Sequence, residues 1–293
     1  MTVLIKNLFE EFERDVHELA FYEDIVQESY SKYLFEIKEY IKNHSSIDPY
    51  SSKRTVYFDI LNKHEKIVSD LKINKTFEQT SDDIFFHYNK QMQWFLVEAY
   101  EIYEKFIENL YSLMGYLNND FWNLSDFGEI QFNDISNKNR DWFFEQIKNK
   151  KDKPYSIIKV FEKRFNLKKY FDKETPNLNY YFLMQFISEF RHAIVHNKGF
   201  VNKTFLKDKL FKKQGINGKE LMKKYEDFIY FYYDENKYGD LICLTTVIDD
   251  VTIKGFPINY NRRLILTQYI LSYSNLLTQI SIKYLEKNKD ISK

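Results

Sequence analysis

The sequence predicts a mainly α fold, all-α apart from one small β hairpin. Three observations carry that expectation. Seven glycines and four prolines in 293 residues leave too few turn-formers for a strand-rich architecture. Apolar residues recur at helical spacing over long stretches free of both residues. One stretch, residues 241–253, is instead rich in β-branched residues and reads as a hairpin or extended edge.

Residues 3–43 read as one or two helices, with Leu8, Phe12, Val16, Leu19, Ala20 and Tyr22 at helical spacing and Leu34, Ile37, Tyr40 and Ile41 continuing it. The small polar run from His44 to Pro49 ends that unit. Residues 54–75 read as another helix, and 76–83 as a linker in which Thr80, Ser81, Asp82 and Asp83 resemble a cap. A boundary near residue 88 then divides an N-terminal helical extension, 1–88, from a helical domain, 89–293. Residues 89–118 give the strongest helical signal, a seam of Leu96, Tyr100, Tyr103, Ile107, Leu110, Met114 and Leu117. Glu101, Glu104 and Glu108 lie on another face, where they are solvated or one of them orients a charged group of a neighbouring helix. Residues 121–137 are loop-like, 139–150 helical, and 154–166 a helix opened by Pro154. A linker with Pro176 precedes a helix over 178–196, and Gly199 is its expected left-handed stop. Beyond it the chain reads as irregular and basic, with a turn at residues 215–218. A long helix over 260–287 closes it, with Leu266, Ile270, Tyr273, Leu277, Ile280 and Tyr284 in its seam.

Charge and cysteine narrow the setting. Formal net charge is zero, yet residues 198–224 hold nine lysines against Asp208 and Glu220, and residues 148–170 hold nine Lys or Arg against Asp152 and Glu162. Such segments suit a phosphate backbone, or are solvated lysines on connecting loops. The single cysteine, Cys243, excludes an intrachain disulfide and fits a reducing, cytoplasmic setting. No apolar run approaches the roughly 20 residues that span a bilayer, and acids come too early at the N-terminus for a secretory signal. No Walker motif, dinucleotide glycine fingerprint or G-x-S-x-G elbow is present.

One stretch concentrates chemistry: Phe186 to Gly199, which packs Arg191, His192 and His196 into six residues at a helix end. Leu183, Phe186, Ile187, Phe190 and Ile194 form its core stripe. The other face, with Tyr181, Met184, Ser188, Arg191, His192, Val195 and His196, is neither plainly polar nor plainly core, and a second subunit is a natural cover for it. Arginine presents a permanent planar cation that suits phosphate. Histidine gives and takes protons near neutrality. Together they suit phosphodiester cleavage without a metal.

Arg191-His192-Ala193-Ile194-Val195-His196, followed by Asn197-Lys198-Gly199, resembles the signature of the HEPN superfamily. The resemblance covers the motif and, loosely, the helical frame from about residue 90. It implies a helical bundle and a metal-independent endoribonuclease with no cofactor, leaving a 2′,3′-cyclic phosphate and a 5′-hydroxyl. Arg191 and His196 would be the catalytic pair and His192 their helper. Asn197, Lys198 and Lys203 would position RNA, either tRNA or mRNA. A homodimer would bring two motifs to one cleft, with the helix of residues 89–118 beside the motif helix. Anti-phage defence, abortive infection or a toxin–antitoxin system, with an antitoxin or other regulatory partner, is the biological setting it implies. Some members carry a tyrosine two residues after the histidine, a target of a partner nucleotidyltransferase. Here that residue is Lys198, which argues against that kind of control.

Three other readings stand beside this one. A HEPN-like module could bind RNA or protein without cutting. His192 and His196, four apart, have metal-ligand spacing and could serve a metal-dependent hydrolase, but a zincin would carry Glu where Ala193 sits, and Asp249-Asp250 is a weak second candidate. Finally, both histidines could be structural, with Arg191 paired to an acid such as Glu189. His44 and His64 are isolated and read as surface residues.

Overall fold

The computed structural model describes residues 2–43, 50–59, 65–128, 135, 138–148, 150–234, 238–253 and 256–291. Within them eight helices account for most of the chain: α1 (Thr2–Asn43), α2 (Phe77–Leu117), α3 (Arg140–Lys148), α4 (Tyr155–Phe165), α5 (Tyr180–Asn197), α6 (Lys203–Gln214), α7 (Lys219–Tyr230) and α8 (Arg262–Ile291). Two antiparallel hairpins complete it: β1 (Tyr50–Asp59) with β2 (Glu65–Asn74), and β3 (Thr245–Ile253) with β4 (Phe256–Asn261). The mainly α expectation holds, and the hairpin expected near 241–253 begins at Thr245.

α1 and α2 are the long pieces, each roughly 60 Å at 1.5 Å per residue. Ile5, Leu8, Phe12, Val16 and Leu19 recur every three or four positions and bury one stripe of α1. Phe12 meets Phe106 at 4.6 Å between ring centroids, and Tyr30 meets Tyr88 at 5.2 Å. Rising numbers on α1 thus meet falling numbers on α2, so the pair is antiparallel. α8 packs against both. A buried pair of Glu23 and Arg263, 4% and 1% exposed, ties α1 to the start of α8. Removing either partner would strand the other charge out of water.

The N-terminal region corrects several expectations. The helix expected over 54–75 is replaced, in its described residues, by strands: 54–59 belong to β1 and 65–74 to β2, with Val56 opposite Val68 and Tyr57 opposite Ile67. Thr55, Val56, Tyr57 and Phe58, set against Ile67 and Val68, are β-formers whose cross-strand pairing outweighs a loose helical spacing. The stretch 76–83 is no linker either. Thr76 caps α2 through a reciprocal capping box: its hydroxyl accepts from Gln79 N at 3.2 Å, and Gln79 Oε1 accepts from Thr76 N at 2.9 Å. α2 then runs unbroken through residue 88, and α1 shares its hydrophobic core with the later helices. The break at 44–49, His64 and most of 129–137 lie outside the described residues, as do the side chains of Asp249 and Asp250.

The basic stretch after Gly199 is not irregular. Asn202 caps α6 by accepting from Phe205 N at 3.0 Å, and left-handed Gly215 ends it. Gly218 leads into α7. The lysines hid these helices, because Leu206, Leu210 and Phe211 bury their side chains between charged neighbours. Past α7, the extended segment Leu241–Leu244 is buried against α2. Asn89 donates to Ile242 O at 2.9 Å and accepts from Leu244 N at 2.7 Å, and Gln93 donates to Ile242 O at 2.7 Å. Ile242 N in turn donates to Gly199 O at 2.9 Å. These bonds satisfy a buried backbone and fix the C-terminal end of α5 to α2.

Candidate active site

α5 begins where Asn179 accepts from Phe182 N at 3.3 Å. It ends at Lys198, which takes the left-handed conformation (φ 55°), with Gly199 following at φ 79°. The stop expected at Gly199 thus starts one residue earlier. Glycine at 199 has a local reason: a Cβ there would meet the buried Gln93 amide at 2.4 Å.

The two faces of α5 differ completely. Phe182, Phe186, Ile187 and Phe190 are fully buried, and Ile194 nearly so. Phe186 lies 4.2 Å from Phe190 and 5.3 Å from Tyr232, centroid to centroid. The opposite face opens into a cavity of about 350 Å³. Arg191 and His192 line it from the motif, with Tyr181, Met184 and Ser188 behind them. α2 adds Tyr100 and Glu104, and Tyr273 comes from α8. Lys153 and Tyr155 close the far side at the start of α4. The second face is therefore covered from within the chain over Met184, while His192, Val195 and His196 stay exposed.

Arg191 is partly buried. Its Nη2 lies 3.5 Å from Glu101 Oε1, so Glu101 is the acid of α2 that reaches the motif. Glu189, the other candidate partner, is taken by Lys209 at 2.6 Å and Lys213 at 3.4 Å. The Arg191 Nε–H is buried and has no acceptor among the described residues. One long ion pair and one unpartnered Nε–H leave part of this guanidinium's hydrogen-bonding capacity unused by the described residues. Glu104 stands nearby, its carboxyl raised above the usual range by burial against the opposing pull of Arg191.

His192 and His196 lie one turn apart on the helix, with ring centroids 4.6 Å apart and planes tilted by 50°. His192 lines the cavity, whereas His196 lies beyond it at the helix end. Asn197 and Lys198 sit exposed beside His196. Asn197 O accepts from Phe200 N at 3.0 Å, and the Lys198 carbonyl accepts from Lys90 Nζ. Lys203 is set apart at the first turn of α6, its Nζ 4.9 Å from the Tyr230 ring centroid. Among the described residues, no group of three or more His, Cys, Asp or Glu side chains is placed to hold a metal ion.

Several residues of the basic segments pair with acids. Lys153 pairs with Glu108 at 3.1 Å, Lys207 with Glu226 at 3.2 Å, and Lys223 with Asp227 at 2.8 Å. Lys153 and Lys213 are the two that front the cavity. Tyr100, Tyr181 and Tyr273 fall in recognisable helical faces, but no spacing in the sequence links them to one another or to Tyr155.

No helix among the described residues is long and apolar enough to cross a membrane. Comparison with protein-family models, with curated proteins and with solved structures finds no match.

Proposed function

We propose that the protein is a metal-independent endoribonuclease of HEPN type, working as a homodimer. The observation that carries this reading is the open face of α5. An arginine with an unused buried donor and two exposed histidines share it, while the opposite face is fully committed to the core.

The roles follow from the chemistry. Arg191 holds a non-bridging phosphate oxygen and the charge that grows on it in the transition state. A histidine takes the proton of the ribose 2′-hydroxyl as that oxygen attacks phosphorus. The P–O5′ bond breaks, and a second imidazole or the recycled proton completes the 5′-hydroxyl. The products are a 2′,3′-cyclic phosphate and a 5′-hydroxyl end. His196 is the proton-transfer group and His192 its helper. Because Arg191 lines the cavity and His196 lies outside it, one chain does not close a cleft around both. A second copy laid over the exposed His192–His196 surface does. Asn197 and Lys198 would then flank the RNA.

The test is cleavage of total tRNA and structured RNA in EDTA. Wild type is expected to cut, with His196→Ala reduced on the order of 10²- to 10⁴-fold and a cyclic phosphate at the new 3′ end. A protein that binds RNA tightly but never cuts would favour the non-catalytic module, a reading the Glu101–Arg191 pair also suits. Loss of cutting in EDTA would favour the metal-dependent hydrolase. A monomer at micromolar concentration would sink the shared cleft.

A further inference from the structure

We infer that the cavity beside the motif seats one unstacked nucleobase of single-stranded RNA, with a neighbouring phosphate on Arg191. The inference rests on the ribonucleic-acid reading of this site and names what the site recognises.

The walls are aromatic. Tyr180 and Tyr273 stack at 6.3 Å with planes 15° apart, and Tyr273 continues through Tyr103 (6.4 Å) to Tyr100 (5.5 Å). Tyr103 lies beneath the lining and is fully buried, so the rings that present surface to the cavity are the half-buried Tyr180 and Tyr181, backed by Tyr273 and Tyr100. Tyr155, 49% exposed, stands on the rim with Lys159 Nζ 4.3 Å from its ring centroid. A base gains from aromatic faces whatever its identity, and sequence-reading proteins hold splayed bases on such rings. The volume of about 350 Å³ lies at the lower end of small-ligand pockets, which suits a base and its ribose. Ser188, Gln185 and Glu104 supply a hydroxyl, an amide and a carboxyl to the same space, the groups that meet a base edge.

Charge argues against a free nucleoside polyphosphate. The lining sets Arg191, Lys153 and Lys213 against Glu104 and Glu189, and Glu101 and Glu108 pair with Arg191 and Lys153 from outside it. These acids offset most of the positive charge, which suits one phosphate on Arg191 better than three. Length argues for a strand. Tyr181 and His192 both line the cavity and are eleven residues apart on α5, which at 1.5 Å per residue is about 17 Å. That run is long enough for the chain to pass from the seated base to the exposed histidines.

The experiment measures binding of a mixed-sequence, eight-nucleotide single-stranded RNA to full-length protein carrying His196→Ala, so that the RNA stays intact. Each position in turn is made abasic. One abasic position should weaken binding roughly 5- to 150-fold, the range for losing one stacked base. In a Tyr155→Ala background the full-base RNA should bind as weakly, and the abasic penalty at that position should vanish. Tyr155→Phe should restore both. An abasic penalty that survives Tyr155→Ala, equal binding of duplex RNA, or no single-strand binding at all overturns the inference. The two proposals separate cleanly. Cleavage that depends on His196 but ignores Tyr155 keeps the nuclease and removes the base pocket. Tyr155-dependent base binding without cleavage does the reverse.

Discussion

The two faces of α5 obey different rules. One face places Phe182, Phe186, Ile187 and Phe190 wholly out of water, with the three phenylalanines ring against ring on Phe228 or Tyr232. The other leaves Arg191 with an unused donor, two histidines in solvent, and a cavity walled by tyrosines. The first face maximises burial, which drives folding. The second leaves polar groups unburied or unpartnered at the positions where the proposed chemistry would sit. A single helix of 18 residues thus separates its core contacts from its candidate functional groups by angle around its axis. Substitutions can test that division.

The largest effect is expected on the buried side. Phe186→Ala removes a ring packed on Phe182, Phe190, Phe228 and Tyr232. It should cost about 3–5 kcal/mol, read from urea unfolding. A loss below about 1 kcal/mol would mean that this face collapses around the cavity, and the contrast between faces would weaken.

Next is the pinned helix end. Gly199→Ala forces a side chain into φ 79° and against the buried Gln93 amide, which is bonded to Ile242 O. A destabilisation of about 1–3 kcal/mol is expected. If the motif is positioned by this junction, RNA cleavage should fall further than stability alone explains.

Glu162 sharpens the comparison from behind the cavity. Burial raises its carboxyl from the ordinary 4.5 to about 7, against the pull of Lys168 and Lys159, and its Oε1 has no hydrogen-bond partner among the described residues. Its charge in turn helps raise the phenols of Tyr181 and Tyr273. An acid raised on folding binds more protons folded than unfolded between those two values. Stability therefore falls as pH rises from about 4.5 through about 7. Glu162→Gln should flatten that slope between pH 5 and 8. After allowance for partial solvent screening, it should gain about 1–2 kcal/mol at pH 8. An unchanged slope in urea midpoints would show that Glu162 is already solvated.

The smallest effect concerns Glu101. Its pair with Arg191 is long and partly exposed, so Glu101→Gln should change stability by less than about 0.5 kcal/mol. Freed of that carboxylate, Arg191 should bind single-stranded RNA roughly two- to fivefold more tightly at low salt, with the gain fading as salt rises. Weaker binding would show that Glu101 orients Arg191 rather than competing for it.

Much of the helical frame was legible in the sequence because burial imposes spacing. α5, α8 and the core of α2 announce themselves through Phe186, Phe190, Ile270, Leu277, Leu96 and Leu110, all buried where the period predicts. The failures came where another force decided. Cross-strand pairing joined residues 50–59 to 65–74 as strands, a distinction that loose apolar spacing cannot draw. A side-chain capping box started α2 at Phe77, ahead of its apolar seam. α6 and α7 were masked by lysines that pair with acids on neighbouring turns and helices. Arg191, His192 and His196 were legible because they fall within six consecutive residues. The cavity was not, since Tyr100, Tyr155, Tyr181 and Tyr273 come from four helices and meet only after folding.

The most direct measurement pairs function with stability for one substitution. His196→Ala should abolish RNA cleavage in EDTA, on the order of 10²- to 10⁴-fold, while leaving the urea midpoint unchanged, because the side chain is exposed and outside the core. Equal cleavage by wild type and variant, or a midpoint that falls together with activity, would contradict the account.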